Sequence, residues 1–240
     1  MVKEELVQRS PLRILEKSIQ GGLGAGNLGI IASRKGVGKT ACLVHIATDS
    51  LLQGKHVIHV SFSSRTDHII SWYEDIYREI AATRELEDAM EVHDSLVRNR
   101  VVMNFSQRGI EAEQLIQSLR AMIVHGGFAA DVIMVDGYDF ALGSPESLEA
   151  LKSFAQEVGL SIWFSATLHR EQPQVDENGV PVILAPYMDC VSVLITLEPA
   201  PEHVKLRLVK EHDRYVHEDL SLVLDSRTLL IADPAQLDSK

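Results

Sequence analysis

The chain has 240 residues, of which 45% are hydrophobic and 24% charged, and this composition predicts a folded protein with a sizeable core. Its net charge of -11 and its pI of about 5.3 argue against nucleic acid or an anionic membrane as a partner, because both favour clustered Lys and Arg. No apolar run reaches the roughly 18 residues that a membrane helix requires. Two cysteines outside any paired motif, and a charged segment 1–10 without a secretion signal, predict a cytoplasmic protein.

The hydrophobic pattern predicts alternating strands and helices along most of the chain. After a helical and turn-rich lead-in at 1–27, the helices are predicted at 41–53, within 63–99, at 110–125 and at 147–158. The strands are predicted at 28–32, 56–62, 100–105, 131–136, 161–165 and 191–197. Thr66 is the expected N-cap of the helical segment that follows the second strand.

The order of these elements predicts the fold class. Strand followed by helix, repeated several times, is typical of a parallel sheet with helices on both faces. Two alternating segments, 204–210 and 220–225, predict a terminal antiparallel hairpin. We therefore predict one α/β domain over 1–240, with a three-layer α/β/α architecture, a mostly parallel sheet and a C-terminal antiparallel hairpin. Residues 83–99 are interpreted as a helical insertion.

A phosphate-binding loop is predicted between the first strand and the helix after it. Gly36 and Gly38 allow consecutive backbone N–H groups to point inward, and the helix N-terminus adds partial positive charge. In this pattern Lys39 reaches the β- and γ-phosphates of a bound nucleoside triphosphate, and the Thr40 hydroxyl holds Mg²⁺. Ser33 stands where the pattern GxxxxGK[ST] has its first glycine. The predicted nucleotide-binding residues are Ser33, Arg34, Lys35, Gly36, Val37, Gly38, Lys39, Thr40 and Ala41.

Asp136 is the second predicted site residue, because it directly follows the apolar run 132–135. A continuous apolar run is typical of a parallel strand that is buried on both faces. The carboxyl end of such a strand opens on the sheet edge where ligands bind, so Asp136 is expected to hold Mg²⁺ beside Thr40. An ordinary strand-terminal Asp is the alternative interpretation.

Together these features resemble the RecA-like ATPase core, in particular the branch that contains DnaB helicases, RadA and KaiC. The resemblance extends from about residue 12 to residue 231. It identifies Asp136 with the acidic residue of the Walker B strand and makes Lys39 and Asp136 the main catalytic candidates. Segment 160–170, LSIWFSATLHR, resembles the strand that carries a polar sensor, with Thr167 at that position. The resemblance implies a RecA-like nucleotide-binding domain that uses Mg²⁺ and ATP or ADP. It also implies a homo-oligomer or a protein partner.

The chain departs from this family at two places. The family usually has a Glu just after the second strand, which polarises the attacking water, whereas Ser63-Ser64-Arg65 stand here. Asp67 and Glu74 are the candidate substitutes, and a solvent-facing position on a helix is the alternative interpretation of both. At the late hairpin, where the helicase branch often has Lys-x-Arg, the chain has Lys210-Glu211-His212, and Arg214 follows. The resemblance implies that Lys210 or Arg214 reaches a neighbouring subunit's nucleotide.

Two functions fit these observations, and two others share the loop. The first is a RecA-like ATPase that is slow or stimulated by a partner. The second is a nucleotide-dependent switch or assembly subunit that does not hydrolyse. A P-loop kinase for a small metabolite and a ParA-like ATPase are further alternatives. Segment 136–146 contains three acidic residues and no basic one, and this argues against a DNA-translocating motor.

Overall fold

A computed structural model describes residues 2–62, 65–105, 112–168 and 174–237. Within these residues nine strands form one sheet, in the order β3-β2-β4-β5-β1-β6-β7-β8-β9. The pairings from β3 to β6 are parallel, and those from β6 to β9 are antiparallel. The strands are β1 (Leu28–Arg34), β2 (Val57–Ser61), β3 (Arg100–Asn104), β4 (Val132–Asp136), β5 (Ser161–Leu168), β6 (Val191–Pro199), β7 (His203–Glu211), β8 (Arg214–Asp225) and β9 (Ile231–Ala232).

Helices cover both faces of this sheet and create two hydrophobic cores. The first core lies under α1 to α5, and the second lies under α6 and α7. Alternate side chains of β1 enter opposite cores, since Ile31 belongs to the first while Ile30 and Ala32 belong to the second. The helices are α1 (Lys3–Gln8), α2 (Leu12–Ser18), α3 (Lys39–Leu52), α4 (Thr66–Thr83), α5 (Ala89–Arg98), α6 (Ala112–Arg120), α7 (Pro145–Val158) and α8 (Pro234–Leu237).

The predicted fold class is confirmed: the protein is α/β, with three layers, a mostly parallel sheet and antiparallel strands at the C-terminal end. The segment interpreted as an insertion, 83–99, holds α5, which packs Val92 and Leu96 into the first core. Among the described helices, none combines the length and the apolar character that crossing a membrane requires.

Several predicted boundaries were wrong. Thr66 is the first residue of α4 rather than its N-cap, and the extended Arg65 precedes it. The helix predicted at 110–125 is α6, followed by one π-helical turn at Ala121–His125. Strand β5 continues to Leu168 because it stays paired with β1 as far as Arg34. The hairpin strand predicted at 220–225 begins at Arg214, since it pairs with β7 along most of its length.

The short strand β9 was not predicted, and a buried histidine ties it to α3. His45 is 4% exposed, and its Nδ1 accepts a hydrogen bond from the Ile231 backbone N–H at 2.8 Å. Burial lowers the pKa of His45 from 6.5 to about 4, an effect that Asp49 opposes and Arg84 reinforces. The folded state therefore holds His45 neutral, with Nδ1 as an acceptor.

Lowering the pH from about 6.5 to about 4 is expected to destabilise the protein through His45. In that window the unfolded chain binds a proton that the folded chain does not. The contribution of His45 to the free energy of unfolding is therefore fully present above the window and decreases as the pH falls through it. The slope from this one group approaches about 1.4 kcal/mol per pH unit. Urea unfolding across this pH range would measure it. In His45→Gln the pH dependence should lose the contribution of this one group. An unchanged slope would contradict the conclusion that His45 is held neutral.

Candidate functional site

The predicted phosphate loop connects the end of β1 to the start of α3, at the edge where the parallel strands finish. Gly36 and Gly38 adopt φ values of +82° and +122°, which disfavour residues with a side chain. A Cβ on Gly38 would also lie 2.3 Å from Leu224 Cδ2 of β8. The loop is exposed from Arg34 to Gly36. Both glycines therefore adopt a backbone conformation that a side chain disfavours, and Arg34 to Gly36 are open to solvent.

Ser33 does not need to be glycine in this structure. It is the penultimate residue of β1, it is 2% exposed, and it pairs with Thr167 of β5. Its φ is not in the left-handed region, so a side chain at this position costs no backbone strain. The Ser33 hydroxyl donates to the Arg34 carbonyl at 3.1 Å. The turn of the loop thus begins after Ser33.

Lys39 folds back over the loop from the first position of α3. Its Nζ donates to the carbonyl oxygens of Ser33 and Arg34, at 3.2 and 3.0 Å, and the residue is only 8% exposed. Burial lowers the pKa of Lys39, while the charge of Asp136 opposes that shift. An ammonium group has three donors, and two of them are used in these contacts. Lys39 therefore holds the ends of the loop together and keeps a donor for an anion.

Asp136, at the end of β4, contacts the start of α3 and the strand β5 at the same edge. Thr40 Oγ1 donates to Asp136 Oδ2 at 2.9 Å, although β5 lies between β1 and β4 in the sheet. The side chain of Ser165, on the intervening strand, donates to Asp136 Oδ1 at 2.6 Å. The two predicted Mg²⁺ ligands are thus in direct contact. Both present oxygen atoms, the ligand type that Mg²⁺ prefers.

Ser165 is a site residue that the sequence prediction missed. Its hydroxyl also accepts from the Gly137 N–H at 2.8 Å, so it positions both the side chain of Asp136 and the backbone after it. The available signal was a polar residue inside the apolar strand SIWFSATL. Because side chains alternate along a strand, Ser165 lies on the same face as Trp163 and Thr167.

A buried histidine lies beneath Asp136. His59 is 0% exposed and pairs with Met134, two residues before Asp136 on β4. Its Nδ1 lies 3.1 Å from the Tyr73 hydroxyl, and its Nε2 has no hydrogen-bond partner in the described part of the chain. Burial lowers the pKa of His59, and the negative charge of Asp136 opposes this effect. The first-core side of the site is therefore lined by a neutral imidazole.

Three further sequence predictions concern the end of the sheet near the loop: Thr167, Asp67 and the pair Ser63-Ser64. Thr167, the predicted sensor, is exposed at the end of β5 and sits beside Ser33 at the loop edge. Asp67 is exposed at the start of α4 and forms an ion pair with Arg65, which lowers the pKa of Asp67. Ser63 and Ser64, which replace the expected Glu, lie outside the described residues. The described contacts of Asp67 thus place it in a surface ion pair.

Lys210 and Arg214 lie at the opposite edge of the sheet from the loop. Strand β7 runs antiparallel to β6, so Lys210 is level with Leu194 of β6 and Ile30 of β1. The end of β1 at Arg34 is four residues further on, roughly 13 Å along the strand. The Lys210 ammonium is buried and donates to the carbonyl oxygens of Met188 and Val191. These two residues therefore do not reach the loop of their own chain, and a role in trans stays a prediction for the exposed Arg214.

Comparisons with protein-family models and with curated proteins find no match for this chain.

Proposed function

We propose that this protein binds Mg-ATP in the loop between β1 and α3, as a RecA-like P-loop protein. The observation that carries the proposal is the 2.9 Å contact between Thr40 Oγ1 and Asp136 Oδ2 across the intervening strand β5. A P-loop hydroxyl and a strand-terminal Asp at this separation are the groups that share Mg²⁺ in P-loop NTPases. Left-handed glycines, a helix N-terminus and Lys39 surround the place where the phosphates would lie.

The Mg²⁺ part of this proposal is tested by Asp136→Asn. A neutral amide is a poorer ligand for a hard cation than a carboxylate, so ATP should bind about ten- to a hundredfold more weakly in the presence of Mg²⁺. Binding measured in EDTA should change little. Isothermal titration of ATP, with Mg²⁺ and with EDTA, would give both constants.

The matched control for this test is Asp139→Asn. Asp139 is an exposed carboxylate three residues further along, and its Oδ1 accepts from the Ala141 N–H at 2.9 Å. The substitution removes the same charge from the same loop without touching Thr40. If both variants bound ATP equally well with and without Mg²⁺, the proposed metal site would be wrong.

We further propose that any hydrolysis is slow or depends on a partner. Ser63-Ser64 replace the expected Glu, and the candidate substitute Asp67 is engaged with Arg65 at the surface. A non-hydrolytic nucleotide switch fits the same observations. Phosphate release by the chain alone should stay well below the about 1 s⁻¹ that is typical of slower enzymes. Fast release by the isolated chain would contradict this proposal, and release that appears only with cell extract would favour the partner-stimulated form over the switch.

A homo-oligomer is proposed from the same resemblance, because such nucleotide sites usually lie between subunits. The exposed Arg214 at the β7–β8 turn is the cation on this edge that a neighbouring copy could meet. Light scattering with and without Mg-ATP tests the association. A monomer under both conditions would argue against a shared site.

A further inference from the structure

A cavity of about 580 Å³ lies on the first-core side of the sheet. It is bounded by the α1–α2 turn, α3, the end of α4 and the β8–β9 segment. No residue of the loop 33–40 lines it, so it is distinct from the proposed nucleotide site. Its volume lies within the range of about 300–1,000 Å³ that is typical of pockets for small molecules.

Most of the cavity wall is apolar. The side chains that line it come from four different elements and converge on one space: Leu6, Leu52, Ile80, Leu230 and Ile231. Pro11 and Ala232 complete the apolar surface. Such a wall favours an apolar body in a ligand, because burying that body removes hydrophobic surface from water.

His45 supplies a directional polar group in this apolar wall. It lines the cavity, and its Nδ1 is already used as the acceptor for the Ile231 N–H. The neutral imidazole therefore carries its proton on Nε2. Nε2 has no hydrogen-bond partner among the described residues and is not one of their fully buried unpaired atoms, so it opens on the cavity. A donor that opens on a largely apolar cavity favours a ligand that brings an acceptor.

The two carboxylates that line the cavity are hydrogen-bonded within the protein. The carboxylate of Asp49 accepts hydrogen bonds from Arg13 and Gln53. The carboxylate of Asp225 accepts from the Arg227 N–H and the Thr228 hydroxyl, at 3.0 and 2.8 Å. Each of the two carboxylates thus accepts hydrogen bonds from two groups of the protein itself. Asp49 and Arg84 both line the cavity and act on the pKa of His45 in opposite directions, since Asp49 raises it and Arg84 lowers it.

We propose that this cavity binds a small acyl compound, whose apolar body packs against the aliphatic wall and whose carbonyl or carboxylate oxygen accepts a hydrogen bond from His45 Nε2. The site is independent of the proposed nucleotide function, since it shares no lining residue with the loop 33–40. It does share helix α3, which carries Lys39 at its start and His45 in its second turn.

The test uses three probes of equal chain length: octanoate, octanamide and octylamine. Octanoate or octanamide should bind, as measured by isothermal titration, because each presents an acyl oxygen. Octylamine should not bind measurably, because its ammonium group has donors only. Binding of octanoate alone would identify a carboxylate ligand, and binding of both would identify the carbonyl as the recognised group. Failure of both acyl probes, or equal binding of octylamine, would overturn the proposal.

Two variants locate the binding. His45→Leu keeps the size of the side chain similar and removes the donor, so the acyl probe should bind about tenfold more weakly. Because His45 also accepts a hydrogen bond from Ile231, this comparison requires a folded His45→Leu protein; if the variant does not fold, Thr83→Trp tests the location of the site instead. Thr83 is exposed at the cavity rim, and a Trp there should block entry, whereas Ser71→Trp, on the same helix but outside the cavity lining, should not. Unchanged binding in Thr83→Trp would overturn the location.

Discussion

Replacing Lys39 by Ala is expected to remove the rise in melting temperature that Mg-ATP causes in the unmodified chain. A ligand that binds only the folded state stabilises it by mass action, by about 2.7 kcal/mol when its concentration is 100 times its Kd. For a domain of this size, that corresponds to roughly 5–11 °C. Lys39 is the cation that bridges the two ends of the loop, through the carbonyl oxygens of Ser33 and Arg34. Its loss should remove both the charge and the loop closure that a bound nucleotide requires.

For each variant, the shift is the difference between the melting temperatures measured with and without Mg-ATP. A change in the stability of the nucleotide-free protein therefore does not affect the comparison. The matched control is Lys55→Ala, which removes an exposed lysine just before β2, at the other end of the sheet. This control should keep the full shift. A full melting-temperature shift in Lys39→Ala, or no shift in the unmodified chain with any nucleotide, would contradict the proposed function.

Replacing Phe164 by Ala is expected to cause the largest loss of stability. Phe164 is 0% exposed in the central strand β5, and its ring packs edge-on against Tyr138 and Phe140 at 5.6 and 6.0 Å. Truncation of a buried Phe to Ala costs about 3–5 kcal/mol, from lost transfer energy and the cavity left behind. The melting temperature should fall by roughly 6–20 °C. Denaturant unfolding would give the free-energy change directly.

The same substitution should also weaken the nucleotide site. Tyr138 and Phe140 lie two and four residues after Asp136, and the Tyr187 hydroxyl holds the backbone there by donating to the Phe140 carbonyl at 2.7 Å. Phe164→Leu, which leaves a smaller void, serves as the graded control and should lose less stability. A loss below about 1 kcal/mol in Phe164→Ala would show that this aromatic group does not support the segment after Asp136.

Much of the fold was predictable because it depends on local pattern. The apolar runs of β1, β4 and β5 are long enough to identify buried parallel strands, and the alternation in 204–210 identifies a hairpin strand. The turn glycines at positions 36 and 38 were predictable for the same reason, since a left-handed φ leaves few other residues available. Element ends were less predictable: β5 is extended by its pairing with β1, which is a contact between distant segments.

The candidate site was predictable only in part. Lys39, Thr40 and Asp136 were found because each belongs to a pattern of neighbouring residues. Ser165 was missed because its role depends on where β5 lies in the sheet, and strand order is not written in any local pattern. The placement of Lys210 and Arg214 depends on strand direction in the same way. Their hairpin position was identified, but the register of β7 carries them to the edge away from the loop.

By itself, the sequence determined the class of fold, the loop with its two glycines, and the pair of residues proposed to hold Mg²⁺. These properties follow from hydrophobic period and backbone conformation, which neighbouring residues decide. Only the tertiary structure decided that Thr40 and Asp136 touch across β5, that Ser165 positions Asp136, and that a separate cavity opens beside His45. Those contacts join residues that are far apart in the chain, so they exist only once the strands have paired and the helices have packed on the sheet.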